Sequence, residues 1–390
     1  MMISDLPHHL LEEILSRVPA TTLIRLRPTC KQWNALLKDQ IFTEKHHRKA
    51  PKQPLFLMLK EFRICPVSVE IDLSVTAPSI EFKDALDLKG SHSSSQQVNI
   101  VEVIHCEGLL LCITKYNKLV VWNPFLGETK WIQSSSRHYK KRSSFALGYR
   151  TNKSCRDYKI LRYWQSYRSK DQVVEFEIYE FRSDSWRFLD GISLDYYIHG
   201  SGCVSLQGNT YWVASDRKDE ISIFLLSFDF STERFRRLNL PPVPPTMMLS
   251  LVREEQISVL HMKYFPLKME LWVTSNFGTE AALSWSKSFE VDLHVLEERY
   301  PFFPTFLLDE DKKVVVCPGP SGWNMKNVVY IIGEDDEYHT EIPYENSTQK
   351  SWWPRIFNYI PSFVQIQQRT QTQNTRMKYD FISPEEKKTQ

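Results

Sequence analysis

Glycine is scarce in this chain, 12 residues in 390, and no two are adjacent. That argues against repeat families whose blades depend on paired glycines. The seven cysteines, at 30, 65, 106, 112, 155, 203 and 317, form no Cys-x-x-Cys pair, so no zinc or redox motif of that spacing is written here. They read as small core residues or free thiols of a reducing compartment. Cys106 and Cys112 are expected on one face of a strand-like segment. No run approaches the roughly 18 consecutive apolar residues of a membrane span, and the first residues lack a basic stretch followed by an unbroken apolar core. The chain is therefore expected to be soluble and intracellular, in nucleus or cytoplasm, with no membrane partner. An excess of one charge is missing too. Lys and Arg total 49 against 47 Asp and Glu, which removes the global electrostatic case for nucleic acid.

Catalytic patterns are equally thin. No G-x-S-x-G occurs, and His8–His9 and His46–His47 are adjacent pairs that cannot converge on one ion from a helix and are expected exposed. His199, His261 and His294 stand alone. No metal, cofactor or catalytic residue is assigned. Glu175 and Glu177 alternate within VVEFEIYEF and are expected at an exposed sheet edge rather than as a glycosidase pair. The basic run Arg137–Arg142 reads as a solvated loop, and the acidic runs 309–311 and 334–337 read as hairpin tips.

What is present begins at the N-terminus with DLPHHLLEEILSRVPATTLIRLRPTCKQWNALL, residues 5–37. Leu10, Leu11, Ile14, Leu15 and Val18 recur along one helical face. Pro7 suits a first turn, with Ser4 or Asp5 as cap, and Pro19 stops the helix. Thr21 or Thr22 is expected to cap a second segment carrying Leu23 and Leu26, which Pro28 ends. Thr29 with Gln32 gives a capping-box signature for a third helix carrying Cys30, Trp33, Asn34 and Leu37. Three short helices supply too little core to stand alone, so a partner surface is expected.

The order LP, LLEEIL, RVP, LIRLR, CKQWN resembles the F-box, the motif that docks substrate receptors onto the Skp-type adaptor of cullin–RING ubiquitin ligases. The resemblance implies that Leu6, Pro7, Leu11, Ile14, Leu15, Leu23 and Leu26 supply the adaptor-binding surface. Val18, Cys30, Trp33 and Leu37 would knit the helices together.

Residues 45–54 are basic and Pro-containing and read as a linker after an F-box over 1–44. From 55 to 367 short runs such as GLLLCITK, KLVVWN and ISIFLLSFDF alternate with turns, an all-β pattern. Segments 121–131, 178–186 and 227–235 share one hairpin layout. Their leading aromatics, Trp122, Tyr179 and Phe228, are followed by Asn123, Glu180 and Asp229. Degenerate copies lie near Trp285 and Tyr330, and a period near 50 suits a four-stranded propeller blade. GLLLCI, VVWNPFLGETKWI, SFALGY, LSFDFSTERFRRLNLPP and YIPSFVQI are similar, in order, to the plant F-box-associated domain, which is kelch-like. Residues 368–390 read as a disordered tail.

The fold expected is thus α+β: a small three-helix F-box followed by an all-β, propeller-like domain. The function expected is the substrate receptor of an SCF ligase, partnered by a Skp-type adaptor, through it cullin and RING subunits, and an unknown target protein. Target contacts are expected among loops 133–144, 165–171, 214–220 and 240–248. An adaptor-independent scaffold is the alternative, favoured by Thr21–Thr22 and Pro28. A nucleic-acid reader using Lys31, Gln32 and Asn34 comes third.

Overall fold

The computed structural model describes residues 7–70, 78–88, 90, 97–133, 143–152, 155–165, 174–190, 192, 195–200, 202–219, 222–242, 247–264, 266–275, 283–293, 303–321, 326–333, 339–344 and 354–366. Four helices lead these residues: α1 His8–Leu15, α2 Ala20–Leu26, α3 Lys31–Leu36 and α4 Gln40–Lys49. The first half of the stretch expected as a linker, residues 45–49, is instead the end of α4, and only 50–54 connects it to β1. Asp39 caps that helix, its carboxylate accepting the Phe42 N–H at 2.8 Å, and the helix buries Phe42, Thr43 and His46. Two of those three side chains are polar, which hid the buried face from a hydrophobicity reading.

The expected caps of the earlier helices also change. Pro7 and Pro19 are the N-caps of α1 and α2, so Thr21 and Thr22 lie inside α2. Cys30 occupies the N-cap of α3 without a side-chain bond, while the Thr29 hydroxyl donates to the Leu26 carbonyl at 2.7 Å. Ser4, Asp5 and Leu6 lie outside the described residues.

The rest is a ring of antiparallel sheets. Blade one holds β1 Leu55–Lys60, β2 Arg63–Glu70 and β3 Ser79–Phe82. Blade two holds β4 Ile100–Cys106, β5 Leu109–Thr114, β6 Leu119–Asn123 and β7 Glu128–Ile132. Blade three holds β8 Ser144–Asn152, β9 Cys155–Gln165, β10 Val174–Glu180 and β11 Ser185–Phe188. In blade four the inner strand is split into β12 Tyr196–Ile198 and β13 Val204–Leu206, followed by β14 Asn209–Asp216, β15 Ile223–Asp229 and β16 Arg234–Leu238. Blade five holds β17 Met247–Val252, β18 Gln256–Tyr264, β19 Leu267–Thr274 and β20 Trp285–Asp292. Blade six holds β21 Leu307–Asp309, β22 Val314–Ser321, β23 Lys326–Gly333 and β24 His339–Pro343. The last strand, β25 Arg355–Tyr359, returns to pair with β1 in the order β25-β1-β2-β3. Among the described residues the β domain is therefore a six-bladed propeller, closed by its own C-terminal strand.

Apolar clusters sit between every pair of neighbouring blades. A middle strand is sandwiched between two such clusters, so β5 and β6 are buried along their whole length. Outer strands meet water on one face and alternate, as SWRF in β11 and RFRRL in β16 do. Cys106 and Cys112 fall on opposite sides of blade two, one facing blade three and the other blade one, because a hairpin separates them.

The three repeated segments are the third and fourth strands of blades two, three and four. Each turn ends on a left-handed residue at the same place, Gly127, Asp184 and Glu233. Only one of the three is glycine. Over the described residues ten non-glycine positions and four glycines have positive φ, so the glycine shortage carries no information against blades.

Candidate functional site

The helical module rests on one face of the propeller. Leu11, Leu15, Ala20, Leu23, Leu36, Leu37 and Phe42 form its core, and the propeller contributes Phe363 to that same cluster. The Phe363 ring meets Phe125 at 5.4 Å and His46 at 5.2 Å between centroids. Phe363 is held by the segment after β25, which runs along blade two. The buried Asn123 amide donates to the carbonyls of Ser362 at 3.1 Å and Val364 at 2.7 Å. The Asn123 side-chain oxygen accepts the N–H groups of Phe125 and Leu126, shaping the turn that carries Phe125. Gln365 donates to the Lys38 carbonyl at 2.9 Å.

Beside this apolar contact lies a buried ionic cluster. Glu107, on the β4–β5 turn, accepts the Tyr149 hydroxyl at 2.8 Å. Its other oxygen lies 3.2 Å from His47 Nε2 and 3.0 Å from the Arg156 guanidinium. Arg156 also reaches Glu44 at 3.6 Å and stacks over the Tyr149 ring at 4.9 Å. Burial pushes the Glu107 carboxyl up, but the His47 hydrogen bond, the Arg156 charge and the Tyr149 hydroxyl outweigh it and hold the group at about 2. His46 Nε2 lies 2.8 Å from the Val18 carbonyl, and burial lowers the pKa of its ring. The His46–His47 pair, expected in solvent, is thus turned into the seam. Their signal in the sequence was the phase of α4, four residues on from Phe42 for His46.

The residues expected to bind the adaptor divide by exposure. Leu11, Leu15 and Leu23 are inside the module, at most 6% exposed, and Leu26 is half-buried. Pro7 and Ile14 face outward, and Leu10, absent from the expected set, joins them. Of the residues expected to knit the helices, Leu37 is buried, Val18 and Trp33 pack half-buried on the core, and Cys30 is exposed at the start of α3. Lys45 and Lys49 close on Glu13 at 2.9 and 2.7 Å, tying α4 to α1. Hydrogen bonds from Lys49, Lys45 and Arg17 hold the exposed Glu13 carboxyl at about 2.

Strand polarity assigns the remaining surface. The β4–β5, β6–β7, β8–β9 and β10–β11 turns share the face that carries the module. The strand ends at Ile132 and Ser144, Gln165 and Val174, Asp216 and Ile223, and Leu238 and Met247 lie on the opposite face. Those ends bound the four loops expected to contact a target. Residues 134–142, 166–171, 220 and 243–246 of these loops lie outside the described residues, as do the basic run 137–142, the acidic run 334–337 and His294. The far face also displays Tyr116, 75% exposed in the β5–β6 turn, and Phe188, 40% exposed at the end of β11. Lys115 sits 5.8 Å over the Phe62 ring there.

Glu177, expected at a sheet edge, is 1% exposed in an interior strand and pairs with Arg162 at 3.1 Å. Among the described residues no three His, Cys, Asp or Glu side chains converge as a metal site, and no helix is long and apolar enough to cross a membrane.

A module of four short helices is thus seated on one face of a six-bladed propeller. Residues 3–45 match the F-box domain and residues 55–366 match the F-box associated beta propeller domain, so the chain belongs to the F-box proteins that carry this propeller. A relative from Arabidopsis thaliana, whose name carries the F-box and kelch-repeat designations, is 52% identical over 94% of this chain and 98% of its own. An Arabidopsis F-box protein is 53% identical over 81% of this chain and 93% of its own, and another F-box/kelch-repeat protein of that plant is 43% identical over 94% and 97%. Among solved structures, TolB from Acinetobacter baumannii aligns at 10% identity over 78% of this chain and 66% of that one. The TM-score there is 0.38, a likeness too loose to carry an argument. The domain pair supports a substrate-receptor role in SCF ligases in general, with a Skp-type adaptor as the partner of the F-box.

Proposed function

We propose that this protein is the target-binding subunit of an SCF-type cullin–RING ubiquitin ligase. It performs no bond chemistry itself. The N-terminal helices hold the adaptor, the far face of the propeller holds a target protein, and the assembly brings a target lysine to the charged E2. Ubiquitination then commits the target to the proteasome.

The observation that carries the adaptor half of this reading is the distribution of exposed apolar surface. Three of the six large hydrophobics exposed among the described residues, Leu10, Ile14 and Ile41, lie in the short helical module. Leu10 and Ile14 stand one turn apart on α1 beside Pro7. The adaptor-facing set then becomes Pro7, Leu10 and Ile14, with half-buried Leu26 at its margin. Leu11, Leu15 and Leu23 act by holding α1 and α2 in place. On the far face, Tyr116, Phe188 and Phe62 offer the aromatic anchors that protein partners favour. The test is adaptor capture by the full chain. Leu10→Glu with Ile14→Glu should abolish it while the melting of the propeller stays unchanged. Capture at the wild-type level would leave the adaptor-independent scaffold as the better reading.

A further inference from the structure

F-box and propeller meet in a seam that has an apolar part and a polar part. The apolar part of that seam is centred on Phe363, with Phe125 and Leu126 of the β6–β7 turn packed beside it against the module core. The polar part is almost dry. Glu107 is 9% exposed and Arg156 8%. Four structural pieces meet at Glu107: α4 through His47 and the β8–β9 hairpin through Tyr149 and Arg156 at its carboxylate, the β4–β5 turn that bears it, and the segment after β25 at its main chain. In that last piece the Ser362 hydroxyl donates to the Glu107 carbonyl at 3.2 Å. Gly108 makes the approach feasible. It has φ +88°, and a Cβ there would stand 2.2 Å from Ser362 Oγ. Arg156 then extends the contact back to α4 through Glu44, so two residues one helical turn apart on α4 are gripped by one blade-three side chain and one blade-two side chain.

We propose that Glu107 is a positioning residue: it locks the angle between the helical module and the propeller, and with it the line from adaptor to target face. Its position fits that role. It sits on the turn nearest the propeller axis of blade two, where a small tilt of α4 becomes a large displacement at the far face. Arg156 and His47 converge on one Glu107 oxygen at 3.0 and 3.2 Å, so a tilt of α4 would carry His47 away from Glu107 and Glu44 away from Arg156 together. Without Glu107, buried Arg156 loses its nearest carboxylate, at 3.0 Å, and is left with the longer Glu44 contact to α4 at 3.6 Å. The lock goes beyond the ligase reading and does not depend on it; only its benefit, a fixed delivery geometry, rests on that reading.

The test uses the full chain without adaptor, so the outcome is independent of adaptor binding. Cys30, exposed on the module, and Tyr116→Cys on the far face are spin-labelled in a background with Cys65, Cys155 and Cys203 replaced by serine. In the otherwise unaltered chain the inter-label distances should form one narrow distribution. In Glu107→Ala, and independently in the His47→Ala, Arg156→Met double variant, the distribution should broaden at least twofold while the propeller melts as in the parent. The double variant guards against a fold-specific failure of the single one. A distribution as narrow as the parent's in both variants overturns the lock, since the apolar contact around Phe363 would then hold the angle. A broad distribution in the parent overturns it equally.

Discussion

At the scale of single residues, exposure separates side chains that hold the module from those that meet a partner. Leu11 and Ile14 are three apart on α1, yet Leu11 is 4% exposed and Ile14 51%. Leu11→Ala opens a cavity against Leu36 and Phe42 and should cost about 2–5 kcal/mol of module stability. Ile14→Ala should change stability by less than about 0.5 kcal/mol, which thermal unfolding of the two variants side by side will show.

Acid should loosen the seam in two steps. Burial lowers the folded-state pKa of His46, so its contribution is complete above the ordinary histidine value of 6.5 and is lost as pH falls below it. Glu107 is held at about 2 against an ordinary 4.5, so its contribution is complete above 4.5 and disappears between there and about 2. Stability of the module measured from pH 7.5 to 4 should fall first below 6.5 and again below 4.5. A rise over that range would contradict the burial of both groups.

At the scale of elements, α4 is the hinge of the account. Asp39→Ala removes its side-chain cap and should cost about 1 kcal/mol, visible as faster hydrogen exchange at the Phe42 and Thr43 amides with β5 and β6 unaffected. This helix was also the element least legible in the sequence. QIFTEKHHRK buries a threonine and a histidine, and both partners that make the burial favourable, Val18 and Phe363, are remote in the chain. The blade hairpins were legible because their signal is local: an aromatic, a polar residue, a turn and a closing aromatic, repeated at Trp122, Tyr179 and Phe228. The turn in 123–127 and that in 229–233 are held by Asn123 and Asp229 accepting backbone N–H groups two and three residues on. The seam residues Glu107 and Arg156 gave no sequence signal, since a lone charge on a hairpin reads as solvated until its partners are placed.

At the scale of the whole molecule, closure depends on a strand that arrives last. β25 pairs with β1 along Leu55–Leu59 and places Ile356 between blades one and six. The residues after it reach across blade two to the helical module. Truncation after residue 354 should therefore remove ring closure and module seating together, giving one loss of cooperative unfolding rather than two separate ones. A truncated chain that keeps the full-length melting profile would contradict a ring closed by β25. The same connectivity explains how a short helical module, too small for a core of its own, becomes a stable end of the receptor. Phe363 completes its core, and blade two holds Phe363 through Asn123.

The most direct measurement is binding of the full chain to a purified Skp-type adaptor by surface plasmon resonance, comparing the parent with Leu10→Glu, Ile14→Glu and with Tyr116→Ala, Phe188→Ala. The account predicts at least ~30-fold weaker binding for the α1 variant, about 2 kcal/mol or more of hot-spot energy. It predicts unchanged affinity for the far-face variant, because the propeller separates the two surfaces. Equal affinity for the parent and the α1 variant, or weakened binding from the far-face change alone, would contradict the assignment of one face to the adaptor and the other to the target.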